Sequence, residues 1–140
     1  MAFLAFHSYL VRTPRHIILV DTCIGNDKDR GGFEGFHMRR TPFLRNLALA
    51  GITPEQVDFV MCTHMHADHI GWNTRLVDGR WVPTFPNAKY VFGRVEYEQR
   101  RHNYETDPAA KMGGFADSVL PVVATGQALM VDSDFALDDT

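Results

Sequence analysis

His64, His66, Asp68 and His69 stand at H-x-H-x-D-H spacing, three imidazoles and one carboxylate within six residues. Imidazole nitrogen and carboxylate oxygen are the donors taken by Zn2+ and other borderline divalent ions; the histidines argue against calcium, which prefers oxygen cages. With seven His in 140 residues, chance would give this spacing in roughly one sequence in a thousand, so it reads as a motif and not as an accident of composition. The bland alternative is a polar loop whose histidines are satisfied by hydrogen bonds. A catalytic zinc needs about three protein ligands and an open position, and two neighbouring ions need about twice as many, so four ligands are too few for a complete two-metal centre.

Such donors need a rigid support. Residues 58–63 (DFVMCT) read as a buried strand whose C-terminal end delivers the cluster, and Gly71 lets the backbone turn closely just after it. Upstream, residues 7–13 and 16–21 read as two strands of a hairpin turned at Pro14-Arg15. Residues 22–40 are rich in glycine and charge, a long loop expected to form a lid or wall. Thr41 as cap and Pro42 as first helical position predict a short helix that Gly51 stops, and Thr53-Pro54 opens another helical turn. Downstream, residues 77–81 predict a small hairpin, 89–92 a strand and 94–102 a charged helix. A looser segment, 106–114, then leads to a helical turn over 115–120 that Pro121 should stop, and 128–131 read as a last strand. Strands first, then strands alternating with helices, favour a mixed α/β (α+β) layered fold over a bundle or a pure sandwich.

The segment THMHADHIGW, residues 63–72, resembles the HxHxDH motif of the metallo-β-lactamase superfamily, and the order of elements is similar over nearly the whole chain. The resemblance implies the N-terminal half of an αββα sandwich, with residues 1–140 a single, incomplete domain. It implies that His64 and His66 hold one metal and that Asp68 and His69 hold a second, two Zn2+ per complete site. Asp21, ending an apolar strand, corresponds to an aspartate that supports the ligands from behind; the alternative is a strand-end Asp making turn hydrogen bonds. The family's third histidine, bridging aspartate and final histidine come later and have no clear counterpart here, so a fragment or a naturally truncated half is expected.

The implied activity is hydrolysis by a metal-activated water, with Asp68 as the catalytic residue that accepts a hydrogen bond from that water and aims it. The run DHIGW is more similar to the lactonase and parathion-hydrolase-like branches, which points to a small-molecule carboxylic ester, lactone or phosphotriester. A thioester hydrolase of the glyoxalase type shares the motif. The rival from another class is a non-catalytic metal-binding half, for which poor solubility or self-association is expected because cutting a sandwich uncovers sheet edges and an apolar face.

A net charge of -3 and a pI near 6.1 leave no field to hold a polyanion, which excludes nucleic acid as a partner. The apolar start lacks a basic flank and a cleavage site, and no apolar run is long enough to span a bilayer, so no membrane association and a cytoplasmic location are expected. Cys23 and Cys62 lack C-x-x-C spacing and read as buried thiols. His7, His16, His37 and His102 read as surface or hairpin residues, His37 being the one that lies in a loop able to swing towards the site. Trp72, Trp81, Phe85 and Phe33 are candidates for an apolar pocket, set against the commoner core role.

Overall fold

The computed structural model describes residues 4–137. Its centre is a five-stranded sheet built from β1 (Tyr9–Arg12), β2 (Ile17–Val20), β3 (Phe59–Met61), β6 (Lys89–Gly93) and β7 (Ala128–Val131), in the order β1-β2-β3-β6-β7. β1 pairs antiparallel with β2; β2, β3, β6 and β7 run parallel. The inner strands are short and almost wholly apolar, as strands covered on both faces must be. Leu19 of β2, Val60 of β3 and Tyr90 and Phe92 of β6 are buried together with Phe85, Phe115, Val119 and Val122. Tyr90 brings a hydroxyl into this core, and Asn73 O and Phe85 N satisfy it at 2.9 and 3.0 Å.

The β1–β2 hairpin turns where Pro14-Arg15 predict it. Thr13 Oγ1 accepts from His16 N at 2.8 Å and Arg15 N at 3.2 Å, and Thr13 N donates to His16 O at 2.9 Å. A separate ribbon, β4 (Thr74–Val77) and β5 (Arg80–Pro83), is longer than the sequence suggested. Asp78 and Gly79, both at positive φ, make its tight turn.

Three helical expectations change. α1 is Phe43–Leu49, and Thr41 does not cap it. Asn26 Oδ1 instead takes Thr41 N at 2.7 Å and Thr41 Oγ1 at 3.1 Å, so the threonine anchors the loop; Gly51, at φ +76, does end the helix. α2 runs Arg94–Thr106, one turn beyond the predicted end, and a 3-10 turn over Pro108–Met112 orders part of the segment expected to be loose. Pro121 does not stop a helix. After α3 (Phe115–Ser118), it stands near the start of α4 (Leu120–Ala124), where its missing N–H leaves no intrahelical bond unmade. No helix among the described residues is long and apolar enough to cross a membrane.

In parallel strands the chain exits every carboxyl end on the same edge of the sheet, where ligand sites form in open α/β sheets. β2 delivers Asp21 there, β3 delivers Thr63 and the histidine cluster, and β6 leads into α2 with Glu96 and Arg100.

Candidate metal centre

Two backbone segments cross at this edge. Thr22 N donates to His69 O at 2.7 Å, Gly71 N to Cys23 O at 2.7 Å and Trp72 N to Thr22 O at 2.9 Å. The approach is so close that a Cβ on Gly71 would lie 1.9 Å from the carbonyl carbon of Ile24. Gly71 therefore does what its place in the sequence suggested, and more: it lets the histidine loop lock onto the segment that follows β2.

Asp21 has left-handed backbone (φ +58), which Asp tolerates better than most residues, and it is buried. Its Oδ1 accepts Thr63 N at 2.8 Å, its Oδ2 accepts Thr63 Oγ1 at 2.8 Å, and His69 Nδ1 lies 2.8 Å from Oδ2. A carboxylate only accepts, so the proton sits on His69 Nδ1 and the Nε2 lone pair is free. Thr63 has one hydroxyl proton, which goes to Asp21; towards His64 Nδ1, 3.1 Å away, its oxygen therefore accepts, and His64 Nε2 is free as well. One aspartate thus orients two imidazoles, the support role expected of Asp21.

His69 Nε2 faces Asp68 Oδ2 at 3.5 Å. Two donors each about 2.0–2.1 Å from one tetrahedral zinc stand about 3.4 Å apart, so this pair is spaced to share an ion. The His64 ring lies 4.0 Å from that of His69 and 4.5 Å from that of His66 between centroids. The structure brings all four motif residues together at one strand end. Among the described residues, however, no three His, Cys, Asp or Glu side chains form a group that could hold an ion. The donor chemistry and the Asp68–His69 spacing fit a divalent metal.

Three contributors are invisible in the motif. Glu96 Oε1 accepts Met65 N at 2.8 Å, pinning the loop between His64 and His66, and Arg100, one turn along α2, reaches the same oxygen at 3.4 Å. An acidic residue in the first turn of a helix after a strand was the available signal for Glu96. His66 is exposed; partial desolvation, then the positive charges of Arg100 and His64, lower its pKa against the pull of Asp68 and Glu96. The third is Thr63. Next to the cluster, Cys62 is a free thiol that burial pushes up to about 12, and burial likewise raises the pKa of the free thiol of Cys23.

The loop of residues 22–40 forms a wall. A cavity of about 340 Å³ beside the cluster is lined by Arg30, Phe33, Phe36, His66, Asp68 and Arg100, among others. Of the aromatic candidates only Phe33 lines it. Phe85 is fully buried in the core; Trp72 is buried and stacks on Phe43 at 5.2 Å; Trp81 lies under the ammonium of Lys28, 3.6 Å from its ring centre. The other histidines stay out of the cluster. His16 packs edge-on against Phe59, His102 is exposed on α2, and His37 Nδ1 accepts Arg30 N at 3.2 Å, fastening the wall. His7 is exposed and lines a second cavity that also touches Asp21, Asp68 and His69.

The wall is docked by buried charge. Arg30 grips Asp117 of α3 with two hydrogen bonds of 2.6 and 3.0 Å, and Lys28, fully buried, donates to Thr74 Oγ1 at 2.6 Å with Asp117 Oδ1 3.5 Å away. Burial pushes the Lys28 amine down to about 7, an effect that Asp117 opposes and Arg30 adds to. Burial works against the charge of Asp117 too, but the hydrogen bond from Arg30 and the positive charge of Lys28 outweigh it and leave its pKa lowered.

The sequence profile of the metallo-beta-lactamase superfamily matches residues 4–132. The chain belongs to the metallo-beta-lactamase superfamily. Among solved structures, this metallo-beta-lactamase chain is similar to a probable metal-dependent hydrolase from Staphylococcus aureus, with 20% identity and a TM-score of 0.76 over 96% of this chain and 46% of that one. It is also similar to AidC, a dizinc quorum-quenching lactonase (21% identity, TM-score 0.65, 94% of this chain and 45% of that one). A third is the hydrolase AbOPH (23% identity, TM-score 0.66, 95% and 45%). The chain thus spans under half the length of these proteins, and at such identities the likeness establishes the fold, the N-terminal part of the metallo-beta-lactamase architecture. No curated protein matches it in sequence.

Proposed function

We propose that this chain carries half of the metal centre of a hydrolase that uses zinc-activated water on an ester, lactone or phosphotriester bond of a small molecule. The observation that carries the reading is the Asp21 relay: one buried carboxylate fixes the tautomers of His69 and, through Thr63, His64, so that both present bare Nε2 atoms at the strand end. His64 and His66 would hold one ion and Asp68 with His69 the other. A bound divalent ion supplies Lewis acidity that brings the pKa of water down towards neutrality. The chain's own share is to hold the two imidazoles oriented, to offer Asp68 as the acceptor that aims the attacking water, and to wall the site with the 22–40 loop. A lactonase and a metal-dependent hydrolase among the structural neighbours support the class of bond. Two free thiols are in keeping with a cytoplasmic location.

A second reading, a non-catalytic metal-binding half, is favoured by the absence, among the described residues, of any three His, Cys, Asp or Glu side chains grouped to hold an ion. One experiment separates them. The chain is loaded with zinc and tested on an aryl ester, a lactone and an aryl phosphotriester, beside a His64→Ala/His66→Ala variant. Hydrolysis that the variant loses supports the first reading; zinc uptake without turnover supports the second; absence of zinc uptake overturns both.

A further inference from the structure

The cavity beside His66 and Asp68 has two unlike walls. One is apolar: the Phe33 ring, 70% exposed, stacks near Phe36 at 6.1 Å between ring centres. The other is cationic. Arg100 engages Glu96 through Nε alone, at 3.4 Å, and its two terminal nitrogens have no protein partner among the described residues. Arg30, 4% exposed and lining the same cavity, keeps a buried Nε with no hydrogen-bond partner. A buried orphan donor is costly enough that its usual explanation is a ligand or water not otherwise counted. At about 340 Å³ the space is at the small end of the range for small-molecule sites, roughly 300–1,000 Å³.

We propose that this cavity is a subsite for an amphiphilic anion, with Phe33 and Phe36 taking an apolar group and Arg100, together with Arg30, taking a negative charge. The inference deepens the hydrolase reading and rests on it for the meaning of the subsite: the substrate would be an ester-like molecule bearing both an apolar group and an acidic one.

The test uses the whole chain with chelator present, so that no metal can bind the probe. Affinities for 4-phenylbutyrate and its neutral amide are measured by titration calorimetry. The carboxylate is expected to bind at least about fivefold tighter, as a partly buried ion pair gives. Arg100→Gln should bring the two probes to near parity without weakening the amide, Arg100→Lys should restore part of the preference, and Phe33→Ala should weaken both probes alike. A preference that survives Arg100→Gln, or no binding of either probe up to about 10 mM, overturns the proposal; the Lys variant guards against a misfolded Gln variant. Zinc uptake is measured on separate, chelator-free samples of the same variants. Its loss with the probe preference intact would remove the hydrolase reading and leave the anion subsite standing, and the reverse result would remove the subsite alone.

Discussion

Replacing Asp21 by Asn would disturb three groups at once, because Thr63 N, the Thr63 hydroxyl and His69 Nδ1 all end on its carboxylate. The amide keeps one acceptor but turns a donor towards the other two, so at least one imidazole loses its tautomer. Zinc affinity should fall about 10- to 100-fold, as it does when a metal-supporting carboxylate is removed. Competition against a chromogenic chelator would measure this, and an affinity within twofold of the parent would refute the relay. Lys28 supports a prediction of a different kind. Its folded pKa of about 7 lies below the ordinary 10.5, so between those values the unfolded chain binds the extra proton. Stability therefore rises with pH in that window, by up to about 1.4 kcal/mol per unit. Cys62, raised from 9.0 to about 12, works the other way once the unfolded thiol ionises, which confines the useful window to pH 7 to about 8.5. Urea denaturation across it should show the slope in the parent and its absence in Lys28→Met; parallel profiles would mean that Lys28 is not buried as a strained cation. The four motif residues were legible as a cluster because their chemistry and spacing are local, and Asp21 was legible because it ends an apolar strand. Lys28 and Asp117 lie 89 positions apart, and no local pattern announces a pair that only the fold assembles.

At the scale of elements, the site depends on the crossing of the segment after β2 with the ligand loop. Gly71→Ala would place a methyl carbon 1.9 Å from the Ile24 backbone, where no flexible side chain can give way, so the segments must part. A loss of more than about 3 kcal/mol is expected. Gly79→Ala is the matched control: it also strains a tight backbone, at φ +74, but meets nothing within 4 Å, and should cost about 1–2 kcal/mol. Urea midpoints compare the two, and equal losses would show that the crossing is not tight. The strands were legible because β2, β3 and β6 are compact apolar runs bounded by turns. Two of the helix errors arose because a local signal was already committed elsewhere or sat at another position in the element. Thr41 is engaged by Asn26 and so cannot cap α1, and Pro121 stands where a helix starts, a place as favourable to proline as a helix end. Glu96 and Arg100 escaped notice because α2 follows β6, and only the pairing of β6 with β3 carries them to the histidines.

For the molecule as a whole, the proposed sharing of two ions among four donors leaves each ion to complete its coordination elsewhere. Structural zinc sites with four protein ligands yield roughly 10–16 kcal/mol, so two donors per ion should give about half, dissociation constants on the order of 1–200 µM for a lone chain. A second copy can improve on that only by bringing its own donors to the same ion. The sheet leaves β1 and β7 as its edges, which favours association in general, but edge pairing is indifferent to metal. The two routes therefore separate in sedimentation velocity. Association through the metal centre should rise with zinc, reverse with chelator and vanish in the His64→Ala/His66→Ala variant, with zinc affinity increasing as the chain is concentrated. Association through sheet edges should be the same in every case. A chain that stays monomeric while binding zinc with a nanomolar dissociation constant would contradict the two-donor account itself, since it would require a third and fourth ligand from within the same molecule, and the most direct place to seek them would be His7, which shares a cavity with Asp68 and His69.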